Sequence, residues 1–290
     1  MSMKKLTRVF QNAKVLTYDS RSKIVFMSDC HRGCGNWGDN FLPNQHLFFG
    51  ALTYYYQKGF TYIELGDGDE LWENRSLKQI ISTHSNSFWL MSKFYEQGRF
   101  YMLFGNHDKK KKGEKFCNCN CNSYYCESCG KDCDLFPDLQ VYEGIVLENR
   151  ENGEKIFLTH GHQGDFINDT AWGLGRFLVR YIWRPLELLG VRDPTSAARN
   201  EKKKKKVEKR LISWVEKENQ MLIAGHTHRP HLPEEGEPPY YNAGSCVHPR
   251  CITALEIENN RITLVKWTIL TKRDRSMYVG REVLAGPRMF

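Results

Sequence analysis

The 290-residue sequence contains no long apolar run. A membrane-spanning helix needs roughly 18 or more consecutive apolar residues, and no stretch of this chain approaches that length. The basic amino terminus, residues 1–20, also lacks the continuous apolar segment of a secretory signal peptide. We therefore expect a cytoplasmic protein, either free or peripheral at a membrane surface.

Acidic residues are in the minority, with 34 Asp and Glu against 42 Lys and Arg and a formal net charge of +8. This excess of positive charge favours an anionic partner, namely a phosphate ester, a nucleic acid or an acidic membrane. Two lysine runs, residues 109–112 and 202–206, supply much of it, although such runs commonly form a solvated loop or helix face. Neither run has the interleaved aromatic residues of a nucleic-acid stacking platform, which disfavours nucleic acid.

Five short apolar segments each end in a cluster of Asp, Asn, His and Gly. They begin near residues 23, 60, 99, 155 and 219, and helical patterns such as 45–57 and 77–97 lie between them. Strands that alternate with helices indicate an α/β sheet whose loops at the strand ends carry the functional site. The carboxy-terminal part from residue 240 predicts hairpin strands, with a turn at Asn259 and Asn260.

The five strand ends carry side chains of one chemical kind. Carboxylate oxygens, an amide oxygen and imidazole nitrogens are ligands that divalent Mn, Fe, Zn or Ni accept. One such residue at a strand end is usually a cap or a turn residue, but five clusters in succession are hard to explain in that way. The candidates are Asp29, His31, Asp67, Asn106, His107, His160, His226 and His228. His162 could replace His160, which we favour because it comes first after its strand.

The motif order D-x-H, G-D, G-N-H-D, H-G-H and G-H-x-H resembles the calcineurin-like metallophosphoesterase family. The motifs run from residue 24 to about 230. The resemblance implies a four-layer αββα sandwich that forms a single domain over residues 1–290. It also implies a dinuclear metal site, with Asp29, His31 and His228 on one metal, Asn106, His160 and His226 on the other, and Asp67 bridging them.

The same resemblance implies a reaction. Two metals close together can clamp a phosphoryl group and share a bridging hydroxide that attacks phosphorus. By resemblance, His107 protonates the leaving oxygen or stabilises the transition state, helped by Asp108. The alternative for His107 is a residue that only orients water. The sequence thus predicts a hydrolase of phosphoesters or pyrophosphates that uses two divalent ions.

Two segments, residues 65–73 (LGDGDELWE) and 225–230 (GHTHRP), resemble the branch that contains the UDP-2,3-diacylglucosamine hydrolases. That branch implies a lipid-linked nucleotide substrate that is cleaved at a pyrophosphate. The sequence departs from its pattern at Glu70, the second acidic position, and at Arg32, where a leucine is usual. Arg32 is a candidate phosphate ligand or is tied to a structural carboxylate, and His162 is a second candidate for substrate binding.

Two insertions interrupt the strand pattern, at residues 109–137 and 166–217. The second contains apolar residues at helical spacing with interleaved Arg and Trp. Such a stripe is more often a core helix, but it also fits a helical cap that rests on an anionic membrane.

The first insertion holds six of the ten cysteines, namely Cys117, Cys119, Cys121, Cys126, Cys129 and Cys133. Four thiolates would complete a tetrahedral structural zinc site, which we favour over an iron-sulfur cluster, redox disulfides or a free polar loop. An insertion of about 25 residues cannot build its own core, so a metal would supply its folding energy.

Two other functions remain open at this point. The same site could cleave nucleic acid or a cyclic nucleotide as a phosphodiesterase. A binding scaffold could also keep the fold without catalysis, although a scaffold is expected to lack ligands and every ligand position here is filled.

Overall fold

A computed structural model describes residues 2–126, 129–164 and 201–289. Its helices are α1 (Ser2–Gln11), α2 (Gln45–Gln57), α3 (Leu77–Thr83), α4 (Ser85–Glu96), α5 (Glu114–Asn120) and α6 (Glu201–Glu218). Its strands are β1 (Lys14–Tyr18), β2 (Lys23–Met27), β3 (Thr61–Glu64), β4 (Phe100–Leu103), β5 (Ser123–Cys126), β6 (Lys131–Asp134), β7 (Val141–Tyr142), β8 (Gly144–Asn149), β9 (Lys155–Thr159), β10 (Met221–Ala224), β11 (Tyr240–Asn242), β12 (Cys251–Glu258), β13 (Arg261–Thr271) and β14 (Met277–Met289).

Two large sheets pack face to face. One has seven strands in the order β14-β13-β12-β2-β3-β4-β7, and the other has five in the order β1-β8-β9-β10-β11. Phe26 and Ile63 of the first sheet share a buried cluster with Leu158 and Ile223 of the second. Strands buried on both faces read as continuous apolar runs, which is why these segments stand out in the sequence.

Helices cover the outer faces of both sheets. On the seven-stranded sheet, α2 and α4 bury Phe48 and Phe94 against a core that includes Tyr62. On the five-stranded sheet, α1 and α6 bury Leu6 and Trp214 in a cluster that includes Phe157. The layers therefore follow the order α, β, β, α, which confirms the predicted sandwich.

The helical pattern of residues 77–97 forms two helices rather than one. The chain leaves the helical conformation at His84, where α3 ends and α4 begins. The His84 side chain is buried, and its Nε2 lies 2.8 Å from Asp39 Oδ2. This buried contact fixes the break, and apolar periodicity alone does not report it.

The carboxy-terminal strands agree only in part with those predicted from the sequence. Strands β12 and β13 form the predicted hairpin, and Asn259 and Asn260 adopt the left-handed turn conformation with φ of 54° and 55°. The prediction was wrong for β11, which pairs in parallel with β10 in the other sheet. Strand β14, which pairs with β13, was not predicted.

The described part of the second predicted insertion is helical. Residues 166–200 of the predicted cap lie outside the described residues. Residues 201–217 belong to α6, whose buried residues Val207, Leu211, Trp214 and Val215 pack in the helical layer of the sandwich. No helix among the described residues is both long and apolar enough to cross a bilayer.

The first insertion shares the main core. Phe136 stacks on Phe100 of β4 with ring centroids 5.2 Å apart, and Leu135, Tyr124 and Cys117 are buried in the same cluster. The insertion therefore adds to the main core rather than building one of its own. Its hairpin, β5 and β6, pairs only with itself among the described strands.

Candidate metal centre

The predicted ligands meet where strands of both sheets end. Asp29, Asp67 and Asn106 follow β2, β3 and β4 of the seven-stranded sheet, whereas His160 and His226 follow β9 and β10 of the other. Because β2, β3 and β4 are neighbouring parallel strands, their carboxyl ends share one edge. The centre thus spans the two sheets.

The backbone at this edge is held in an uncommon conformation. Five predicted ligands have left-handed φ values between 48° and 68°: Asp29, His31, Asp67, His226 and His228. Residues other than glycine adopt this region rarely, and such strain is found most often at functional sites. The surrounding sheets therefore stabilise a local geometry that the chain alone disfavours.

One group of donors consists of Asp29, His31 and His228, whose ligand atoms lie within 4.8 Å of one another. Asp29 Oδ1 lies 3.0 Å from His228 Nε2, and the Nε2 atoms of His31 and His228 are 3.4 Å apart. The other oxygen of Asp29, Oδ2, accepts the backbone N–H of His226 at 2.8 Å. One carboxylate oxygen and two imidazole nitrogens thus face a common point.

A second group consists of Asp67, His160 and His226, with ligand atoms again within 4.8 Å of one another. His160 Nε2 lies 3.1 Å from Asp67 Oδ2. His160 Nδ1 lies 3.0 Å from the carbonyl oxygen of Leu65, to which it donates. This contact fixes the orientation of the ring and leaves Nε2 as the nitrogen that faces the carboxylate.

Asp67 belongs to the second group and also approaches the first. Its Oδ2 is 3.1 Å from His160 Nε2 and 3.9 Å from His31 Nε2. Asn106 is 1% exposed, and its amide oxygen Oδ1 accepts no hydrogen bond from the described residues. Buried polar atoms are normally paired, so a buried amide oxygen at this position fits a cation ligand.

Two glycines leave room for this convergence. A Cβ atom on Gly105 would lie 2.1 Å from Asp67 Oδ1, and one on Gly225 would lie 1.9 Å from Ser28 Oγ. Any side chain at either position would displace the backbone next to a donor. The GNH and GHTH motifs need glycine for this reason.

The donors also stabilise one another electrostatically. Burial opposes a charge on Asp67, but His160, His107 and His31 hold the pKa of Asp67 well below its usual range. Burial disfavours protonated His160, but Asp67 and Asp29 outweigh it and raise the pKa of His160 to about 9. The centre is therefore built from ionised carboxylates, and a cation can replace the protons on the imidazoles.

His107 is held beside the two donor groups by three contacts. Its backbone N–H donates to Asp67 Oδ1 at 2.8 Å, and its ring stacks on Trp72 with centroids 4.2 Å apart. Its Nδ1 lies 2.8 Å from the Glu70 carboxylate, which also lies 2.9 Å from His31 Nδ1. Burial opposes ionisation of Glu70, but His107 and His31 lower the pKa of Glu70 to about 2.

Glu70 is a site residue that was not predicted from the sequence. In the sequence it stands out only as a departure from the pattern of the acidic motif. Its spacing, three residues after Asp67, was the available signal, because a residue that close to the donor carboxylate can reach the same edge. Its carboxylate contacts both a predicted ligand and His107.

Both carboxylate oxygens of Asp108, which was predicted to assist His107, accept hydrogen bonds from backbone N–H groups. Asp108 Oδ1 accepts the backbone N–H of Gly105 at 2.7 Å, and Oδ2 accepts that of Gly68 at 3.1 Å. Lys111 Nζ lies 3.0 Å from Oδ2. Asp108 therefore shapes the loops around Asp67, and Glu70 takes the place beside His107.

The guanidinium of Arg32, a predicted substrate ligand, is fully buried and held by two carboxylates. It donates to both oxygens of Glu64 at 2.8 Å and to Asp69 Oδ1 at 2.7 Å. Arg32 therefore has the structural role considered as its alternative. Lys111, from the first lysine run, is buried with it and lies 2.5 Å from Asp69.

His162 is fully buried, with its ring 5.6 Å from that of His160. Burial, together with the positive charges of His160 and His226, holds its pKa well below the usual range. His162 is thus a neutral imidazole next to the donors, and it stays a candidate substrate residue.

Residues 22–230, well over half of the chain, match the Calcineurin-like phosphoesterase family. The chain belongs to this family. The family implies a phosphohydrolase activity and divalent metal ions, and the two donor groups fit such ions in their chemistry and burial.

No curated protein matches the chain significantly. Among solved structures, Vps29 of Cryptosporidium parvum is 14% identical at a TM-score of 0.38, with 91% of this chain and 98% of that chain covered. Vps29 of Chaetomium thermophilum is 10% identical at a TM-score of 0.38, with 91% and 96% covered. A Staphylococcus aureus protein with a provisional 5′-nucleotidase assignment is 14% identical at 0.35, with 93% and 55% covered. At these TM-scores the matches say nothing about activity.

Proposed function

We propose that this chain hydrolyses a phosphoester or pyrophosphate at a centre of two divalent ions. One ion would be held by Asp29, His31 and His228, the second by Asn106, His160 and His226, and both by Asp67. The observation that supports this proposal most strongly is the convergence of the two donor groups, with Asp67 near histidines of both.

Bound divalent ions would supply a water of lowered pKa and a positive field for the phosphoryl oxygens. The protein must then deliver a proton to the leaving oxygen. His107 suits this role because Glu70 binds its Nδ1, which leaves Nε2 as the nitrogen that exchanges a proton with substrate. Trp72, which stacks on the His107 ring, limits rotation of that ring.

We further propose a lipid-linked nucleotide as the substrate class to test first. The support is the resemblance of residues 65–73 and 225–230 to the UDP-2,3-diacylglucosamine hydrolase branch. Trp72, in the first of these segments, donates from Nε1 to the Asn106 carbonyl at 2.7 Å, so this segment helps to fix the position of a proposed ligand.

The test is manganese-dependent hydrolysis of p-nitrophenyl phosphate, its bis-ester and a UDP-linked lipid. Turnover of the UDP-linked lipid supports the finer proposal, whereas turnover of the bis-ester alone favours a phosphodiesterase or nuclease. His107→Asn should lower kcat by about 10²–10⁴-fold, because a general acid contributes that much. His46→Asn, on the exposed face of α2, is the matched control and should retain activity. A protein that binds metal but turns over no substrate would instead favour the scaffold alternative.

A further inference from the structure

Three of the six cysteines of the first insertion converge on one point. The sulfur atoms of Cys126, Cys129 and Cys133 lie within 4.8 Å of one another. Cys126 ends β5, Cys133 lies in β6 opposite Tyr124, and Cys129 lies in the turn between the strands. We call β5, β6 and turn residues 129–130 the cysteine hairpin.

The backbone of the turn brings the thiols together. The Cys126 carbonyl accepts the N–H of Cys129 at 3.2 Å and that of Gly130 at 2.9 Å. Gly130 has φ of +63°, a conformation that glycine adopts at little cost. This tight turn places two cysteines, separated by two residues, on the same side, the spacing that metal-binding thiolates use.

The other three cysteines lie elsewhere. Cys117 on α5 and Cys121, which directly follows α5, are both buried, and the Cys117 thiol donates to the Lys111 carbonyl at 3.1 Å. The two thiols also share a hydrogen bond. Cys119, on the same helix, is exposed. The structure therefore separates the six cysteines into two sets that the sequence spacing could not distinguish.

Few residues of the hairpin are buried, although Cys126 and Cys133 pack against the main core. Each strand has four residues, and Tyr124 is the buried residue of the two strands. A two-stranded hairpin of this size is at best marginally stable in water. A crosslink at its turn would stabilise it, as metals do in other small units with few core residues.

We propose that Cys126, Cys129 and Cys133 bind one zinc ion as thiolates, with water or another small ligand at the fourth tetrahedral position. The three S–H protons are released to solvent as the sulfur–zinc bonds form. A donor set of sulfur alone favours zinc over the oxygen- and nitrogen-ligated ions expected at the metal centre. The ion fixes the turn and both strands.

The test uses the full-length protein, purified under reducing conditions, depleted of metal and reconstituted with Co²⁺. Thiolate-to-cobalt charge-transfer absorption reports sulfur ligation and cannot arise from the Asp, Asn and His donors of the metal centre. We expect this absorption in the unaltered protein and its loss in Cys126→Ser, Cys129→Ser and Cys133→Ser. Cys119→Ser and Cys121→Ser are the matched controls and should keep it.

The proposal fails if the three hairpin variants keep the absorption or if the two controls lose it. It also fails if the protein as purified contains iron with cluster absorption, or a disulfide detected by mass between two hairpin cysteines. The result is independent of the proposed hydrolase. Asp67→Asn should alter the metal centre and leave the charge-transfer absorption unchanged, so failure of one proposal is distinguishable from failure of the other.

Discussion

The metal centre and the cysteine hairpin both gather donor side chains, but over very different lengths of chain. The metal centre draws its donors from residues 29 to 228 and from the ends of strands in two sheets. The hairpin draws its thiols from residues 126 to 133. In the first region the scaffold holds the donors in place, whereas in the second we infer that a bound ion holds the scaffold.

Burial and backbone conformation support this distinction. The donors of the metal centre are mostly buried, and five of them occupy the left-handed region. Such a conformation persists only where the surroundings over-determine it. Beneath the centre, Arg32 and Lys111 form buried ion pairs with Glu64, Asp69 and Asp108. In the hairpin, the residues of β6 are exposed or half-buried.

The largest effect should follow from breaking the buried ion pairs. Lys111→Met removes the ammonium that lies between Asp69 and Asp108 and leaves both carboxylates without it. We expect a loss of about 3–5 kcal/mol in the free energy of unfolding, measured by urea denaturation of the full chain. Lys112→Met, at the exposed neighbouring position, should change it by no more than about 0.5 kcal/mol. Equal effects of the two substitutions would contradict the structural role of Lys111.

A smaller effect should follow from weakening the contact that orients His107 while His107 itself is kept. Glu70→Gln keeps the shape of the side chain but removes the charge that faces His107 and His31. We expect kcat to fall by about 10–100-fold, because residues that orient ligands typically contribute that much.

Glu96→Gln, at an exposed position on α4, is the control for this prediction. An unchanged kcat in Glu70→Gln would show that the contact between Glu70 and His107 does not serve turnover. A loss of bound metal, with kcat restored by excess metal, would instead confine Glu70 to orienting His31.

The smallest effect should come from a substitution in the cysteine hairpin. Cys126→Ser should lower the resistance of the hairpin to proteolysis, whereas kcat at the metal centre should change by no more than about twofold. Sites without shared partners act nearly additively, and outside the hairpin β5 makes its most extensive contacts with α3, which carries none of the donors. A large loss of turnover in this variant would show that the two regions are coupled.

The sequence predicted the strands of the site well because they are buried on both faces and end in polar clusters. The helix Gln45–Gln57 has the predicted bounds for a similar reason, since it has a sustained apolar pattern. The amphipathic α1 and strands β1 and β14 were not predicted. Strand β14 is largely exposed or half-buried, so it lacks the apolar run that identifies the central strands.

The burial of Lys111 and Arg32 could not be predicted from the sequence. Lys111 lies within a run of four lysines that is typical of a solvated loop, and its burial depends on Asp69, which is distant in sequence. Arg32 follows a predicted ligand directly, which suggested phosphate, but its partner Glu64 lies on a neighbouring strand. The cysteine spacing allowed several donor sets, and the turn at Gly130 determines which thiols meet.

We propose that Asp67 would hold both divalent ions of the centre. Electron paramagnetic resonance of the manganese-loaded protein is the direct test of this role. We predict a spin-coupled signal from a pair of Mn²⁺ ions, replaced in Asp67→Asn by the hyperfine pattern of isolated Mn²⁺. An isolated-ion pattern from the unaltered protein at every manganese level would contradict the dinuclear centre.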